Sequence, residues 1–328
     1  MKEAFITALT DMAEKDPRVT LLVGDLGFGM IEKFQSRFPR QFLNVGIAEQ
    51  NMIGIATGMA LEGKVVFTYS IGNFGTLRCL EQIRNDALYH DANVKVVSMG
   101  GGFSYGPLGI SHHATEDLSI FRALPGMTVV TPADDREAYH FTREIINQPG
   151  AFYLRLDKSA AKTDSAVDQE LSLGRIRTIR QGNAFTFVSC GSILQEAIEA
   201  AEILSNQYGE NVRVLSVNCL TRMDQAALTA AAHETGGIFT LEEHTVNGGL
   251  GSSIAEILLE SGTIPRIFKR FGLKGGFASM VGTQDYLRAQ YGISRSQLVE
   301  EYLKIAQLNC ANFQPACKES SDVTGLQN

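Results

Sequence analysis

The stretch Phe42-Leu43-Asn44-Val45-Gly46-Ile47-Ala48-Glu49-Gln50-Asn51-Met52 passes from a short apolar strand, through Gly46, into a helix. The helix continues to Leu61 and places Met52, Ile55, Ala56 and Met59 where they can reach a core. The same alternation extends in both directions. Upstream, Ala4, Phe5, Ala8, Leu9, Met12 and Ala13 share a helical face, and Val19 to Val23 reads as a buried strand ending at Gly24-Asp25-Leu26. Downstream, strands are expected at Val65 to Tyr69, Val94 to Met99, Met127 to Thr131 and Phe152 to Leu156. Helical patterns near residues 74–89, 116–123 and 134–147 separate them. Continuous apolar strands alternating with helices imply an α/β fold with a mostly parallel sheet covered on both faces.

The pattern breaks at 158–182, which is polar and weakly periodic, and then restarts. Ala184 to Cys190, Val212 to Val217, Gly237 to Leu241 and Ile267 to Phe271 read as strands. Residues 193–208, 248–260 and 294–307 read as helices. The expected organisation is one α/β domain over 1–157, a linker over 158–182 with room for a short strand of its own, a second α/β domain over 183–308, and a disordered tail over 309–328.

Composition narrows the function. The 328 residues are 44 % hydrophobic and 20 % charged, enough apolar material for a sizeable core. A net charge of −7 without a long basic run argues against nucleic acid or an anionic membrane as partner. No apolar run approaches the roughly 18 residues of a membrane span, and Met1 to Phe5 begins a helix rather than a signal peptide. The five cysteines have no CxxC spacing, which fits a reducing cytoplasm better than a disulfide framework or zinc site.

Open parallel sheets bind ligands at the carboxyl ends of their strands. Gly24 to Gly27, Asn44 to Gln50 and Gly100 to Asp117 lie at such ends. Taken alone, Glu49 is an ordinary first-turn glutamate stabilised by the helix dipole, Phe74 is a core-facing aromatic, and His112 is a loop residue near the next helix. His112 and His113 have no further Cys or His partner at zinc-ligand spacing.

The order of motifs changes that reading. Asn44 to Met52 closely resembles the signature of the transketolase superfamily. Leu22 to Leu26, Phe74 to Asp86 (with Glu81-Gln82-Ile83-Arg84-Asn85-Asp86), Leu124 to Met127, Thr131 to Asp134, and Leu241 to His244 followed by Gly248 to Ser252 resemble further family blocks in order. The resemblance covers about residues 1–307. It implies the pyrimidine-binding and C-terminal domains of a split transketolase-like enzyme that moves a two-carbon ketol unit from a ketose to an aldehyde. It further implies that Glu49 bonds N1′ of the aminopyrimidine of thiamine diphosphate, that Phe74 stacks on that ring, and that Asp25, Leu26 and Gln82 line the cofactor site. His112, in Ser104 to His113, is then expected at the substrate, and Arg155 either at a substrate phosphate or as a buried arginine paired to Asp157.

Departures from the family pattern matter equally. Gly100 and Gly29 stand where the family commonly places a phosphate-binding histidine and serine, and Leu108 where it places an aspartate that recognises a substrate hydroxyl. Ile71 and Leu77 replace common aromatics. An unusual sugar or aldehyde substrate is therefore expected. No GDG motif with a downstream Asn is present for Mg²⁺, so the metal and the diphosphate are expected on a separate N-terminal-half subunit, in an α2β2 assembly containing a second copy of this chain. Two other readings stay open: the β subunit of a 2-oxo-acid or acetoin dehydrogenase, and a noncatalytic partner that keeps only the fold.

Overall fold

The computed structural model describes residues 1–27, 29–163 and 170–312, with side chains to residue 306. Its first sheet contains β1 (Val19–Val23), β2 (Phe42–Asn44), β3 (Val65–Ile71), β4 (Val94–Met99), β5 (Thr128–Val130) and β6 (Phe152–Leu156). All six strands run parallel in the order β2-β1-β3-β4-β6-β5. Every residue of β1, β4 and β6 is buried, because helices cover both faces. Helices Lys2–Ala13 and Asp135–Ile146 pack Phe5, Leu9, Phe141 and Ile145 on one face. Helix Glu49–Leu61 brings Met52, Ile53 and Ala56 to the other.

The second sheet contains β7 (Arg177–Arg180), β8 (Thr186–Ser189), β9 (Arg213–Ser216), β10 (Ile238–Thr245) and β11 (Phe268–Leu273). Its order is β11-β10-β8-β9-β7, with β7 alone antiparallel. The polar segment expected as a linker thus contributes an edge strand. The fold is α/β with two successive sheets.

The two sheets meet at an edge. Val130 of β5 bridges to Cys219, Thr131 N–H donates to Asn218 O at 2.8 Å, and Leu220 N–H donates to Val129 O at 3.0 Å. These bonds satisfy backbone groups that an open edge would leave exposed. One core runs through the junction, joining Leu118 and Phe121 to Val188, Leu215 and Leu250.

Two expectations change in detail. Helix Arg295–Asn312 extends four residues into the segment expected as a tail, and the rest of that segment lies outside the described residues. The helix expected over 74–89 is broken into Gly72–Gly75, Leu77–Cys79, Leu80–Gln82 and a π-helical stretch, Ile83–Leu88. Thr76, at φ −119° and ψ −85°, interrupts the winding, and its hydroxyl donates to Gly72 O at 2.7 Å. No helix among the described residues is long and apolar enough to cross a membrane.

Candidate active site

Glu49 is the first residue of its helix and only 2 % exposed. Asn44, at the end of β2, organises the approach to it. Asn44 Oδ1 accepts from Asp25 N–H at 3.1 Å and Gly46 N–H at 2.9 Å, and its Nδ2 donates to Asp25 Oδ1 at 3.1 Å. This bracket ties the loop after β1 to the turn before the helix. It holds Asp25 at φ +54°, a conformation that Asp tolerates better than most residues. Gly24 leaves room for the carboxylate stem, since a Cβ there would sit 3.3 Å from Glu49 Cγ. Asp25 is exposed and Leu26 half-buried on the same loop.

The broken segment after β3 supplies the other wall. Arg78 Nη1 donates to Glu49 Oε2 at 2.7 Å, and its guanidinium lies over the Phe74 ring, 4.4 Å from the centroid. The Phe74 and His112 rings meet edge-on at 5.0 Å. Glu49, Arg78, Phe74 and His112 therefore form a continuous strip. Ile71 and Leu77 are half-buried on the segment that carries Phe74. Gln82 is half-buried, and its Oε1 is a buried acceptor without a partner. Cys79 is sealed beside the strip. Burial first, and the Glu49 charge second, push its thiol up to about 12, which leaves it unreactive as a nucleophile.

The loop 100–115 is pinned from several sides. Asn73 Nδ2 donates to the carbonyls of Ile110, Ser111 and His113 at 3.3, 3.4 and 2.9 Å. Gly102 and Ala114 exchange backbone bonds at 2.8 and 3.1 Å. The two adjacent histidines divide: His113 is buried, with Nε2 3.0 Å from Gly106 O, whereas His112 is half-buried against Phe74 with Nδ1 3.0 Å from Ser111 Oγ. Burial, followed by the neighbouring His113, lowers the His112 pKa below the ordinary 6.5.

The glycine at position 100 has a steric origin. It sits at φ +98°, and a Cβ there would lie 2.2 Å from Tyr105 Cε2. The Tyr105 ring fills the space that a longer side chain would need. Nothing lies within 4 Å of a Cβ placed on Gly29, and Leu108 is exposed.

Arg155 is not brought into the strip. It is 3 % exposed, with Nε 3.0 Å from Asp117 Oδ2 and Nη2 donating to Ala114 O and Glu243 O at 3.0 and 3.1 Å. Its guanidinium supports the histidine loop from behind, through Ala114, and ties it to β10. Sequence reasoning missed Arg78 and Asn73. Arg78 lies four residues after Phe74, a helical spacing that could have suggested contact, but the broken winding removes that warrant. Asn73 carried no signal beyond its neighbour.

A buried carboxylate beside an aromatic ring suits an aminopyrimidine, which offers a ring nitrogen to the first and a π-face to the second. Among the described residues, no group of three or more His, Cys, Asp or Glu is placed to hold a metal.

Comparison with known proteins is consistent with that chemistry. Residues 1–163 match the family "Transketolase, pyrimidine binding domain", and residues 174–298 match "Transketolase, C-terminal domain". The chain is 34 % identical over 300 residues to a 6-deoxy-6-sulfo-D-fructose transketolase subunit of Clostridium sp., covering 91 % of this chain and 92 % of that protein. It is 32 % identical over 305 residues to an apulose-4-phosphate transketolase subunit of Actinobacillus succinogenes, covering 93 % and 96 %. Among solved structures, a split-gene transketolase described as an inactive β4 tetramer superposes with a TM-score of 0.83 at 33 % identity, covering 93 % of this chain and 98 % of that one. Campylobacter jejuni transketolase shares the fold, with a TM-score of 0.73 at 19 % identity, and this chain spans 46 % of it.

Proposed function

This chain belongs to the transketolase family, and from that premise we propose that it is the pyrimidine-binding subunit of a split, thiamine-diphosphate-dependent ketol transferase. The observation that carries the reading is the strip of Glu49, Phe74 and His112, gathered from a helix start, a broken segment and a pinned loop. When bound, the cofactor supplies the electron sink through which a two-carbon unit leaves a ketose and joins an aldehyde. Glu49 shares a proton with the pyrimidine ring nitrogen in a site shielded from water. Phe74 packs against the ring. His112 hydrogen-bonds the substrate oxygen whose charge changes during transfer. Asp25, Leu26 and Gln82 complete the wall around the cofactor. Arg155 serves the substrate side indirectly, by fixing the loop that carries His112. On this reading the chain is organised as a pyrimidine-binding domain over 1–157, a linker over 158–182 and a C-terminal domain over 183–308.

Mg²⁺ and the diphosphate are assigned to a partner subunit in an α2β2 complex of the cytoplasm. The subunit names carried by the relatives support a divided enzyme. The substrate is a non-standard sugar. Tyr105 in place of a phosphate-binding side chain supports this, as do relatives named for 6-deoxy-6-sulfo-D-fructose and apulose 4-phosphate. The test is turnover of the reconstituted complex with xylulose 5-phosphate and ribose 5-phosphate, against 6-deoxy-6-sulfofructose and apulose 4-phosphate as donors. Preference for a non-standard donor is expected. Rates highest with the ordinary pair would overturn the substrate assignment, and full turnover by the chain alone would overturn the divided site.

A further inference from the structure

Arg78 makes two contacts, and both use surfaces that the proposed function assigns to the cofactor's pyrimidine. Nη1 donates to Glu49 Oε2 at 2.7 Å, and the guanidinium lies 4.4 Å over the Phe74 ring. A guanidinium is a planar, delocalised cation with N–H donors in its plane, and it both stacks on aromatic faces and binds carboxylates. A protonated aminopyrimidine has the same character. We infer that Arg78 is an internal stand-in for the pyrimidine, which holds Glu49 and Phe74 until the cofactor displaces it. The inference rests on the functional reading above and adds a competitor within the chain.

Two observations favour displacement over a fixed structural role. The Arg78 side chain is 44 % exposed, so it has somewhere to go, whereas Glu49 is 2 % exposed and stays. Arg78 also sits in Leu77–Cys79, one of the short broken pieces, where no continuous helix fixes its direction. In the resting chain the pair spares Glu49 from being a buried charge without a partner, a state that costs free energy. The occupant that relieves this cost can be the arginine or the pyrimidine, and the contacts of each exclude the other.

The test uses the full chain, with thiamine as the probe, titrated by saturation-transfer NMR. Arg78→Met should bind thiamine about three- to tenfold more tightly than the wild type, because the competitor is gone. Arg78→Gln serves the same purpose if the Met variant fails to fold by circular dichroism. Combining Arg78→Met with Glu49→Gln should cancel the gain. Equal, weaker or absent binding in the Arg78 variants overturns the inference, and a merely structural contact would lower the Tm without moving the affinity. The functional reading stands or falls separately on the turnover of Glu49→Gln in the reconstituted complex. Arg78 can therefore fail while that reading survives, and the reverse.

Discussion

Arg78 and Arg155 each meet a carboxylate shut away from water, Glu49 in one case and Asp117 in the other. Their surroundings differ. Asp117 is covered by Tyr153, whose hydroxyl donates to Oδ2 at 2.6 Å, and the Arg155 guanidinium also serves two carbonyls. Burial alone would pull the Arg155 pKa down, but Asp117 and Asp157 outweigh it and raise it, so the guanidinium stays charged. Around Glu49, by contrast, one side chain reaches in from the surface. The contrast separates a pair that holds the domains together from one that is available for chemistry. A buried charge can be spent on stability only where all its partners are fixed, and on function only where one of them can leave.

Four measurements test the contrast between the two pairs. Glu49→Gln should lower turnover of the reconstituted complex by about 10²- to 10⁴-fold, while the urea midpoint of the chain changes little. A large loss of stability with turnover intact would reverse the assignment. Arg155→Met should do the opposite and cost about 3–5 kcal/mol in urea unfolding, because Asp117 is left buried without its cation. An unchanged midpoint would remove Arg155 from the interdomain network.

Lys95 offers a third kind of buried cation, held by carbonyls instead of a carboxylate. Its Nζ donates to Gln148 O and Gly150 O at 2.7 and 2.8 Å and lies 4.1 Å from the Phe152 ring centroid. Burial, and then the charge of Arg222, bring its pKa down to about 7. The unfolded lysine keeps its ordinary value near 10.5, so between these values the unfolded chain binds the extra proton. Stability therefore rises with pH across this window and loses that gain as pH falls back toward about 7. Wild type should gain on Lys95→Met by about 1–2 kcal/mol in urea unfolding between about pH 7 and 9; parallel pH profiles would contradict it. The smallest effect belongs to His112, whose NMR titration midpoint should fall below 6.5. A midpoint above that value would mean that a carboxylate, not burial, governs the ring.

Much of the fold was legible because each buried strand is a short apolar run, and β1, β4 and β6 lie where those runs lie. β7 was harder. Arg177 is buried but the other three residues are only half-buried, and it is strand because β9 offers it an edge. The segment after β3 read as a regular helix because its apolar spacing is helical, but Thr76 and the flanking Gly72 and Gly75 let it follow the loop it packs against. Within the candidate site, Glu49, Phe74 and His112 were legible from motif order. Arg155 was legible as a residue of interest and its burial as one alternative, but the partner expected there was Asp157, and the structure pairs it with Asp117. A charge in a strand can face a ligand or a partner carboxylate, and only the chain 88 residues away, at Glu243, decides which.

Local sequence suffices for the α/β alternation and the two sheets, because hydrophobic periodicity acts over a few residues, while Glu49 was singled out only by motif resemblance. The tertiary structure decided what those residues face. It set Arg78 on Glu49, Asn73 behind His112, Tyr105 in the space beside Gly100 and Arg155 against Asp117. Those pairings join segments brought together by packing, and a charged side chain's role depends on which partner it meets there and whether water can reach them both.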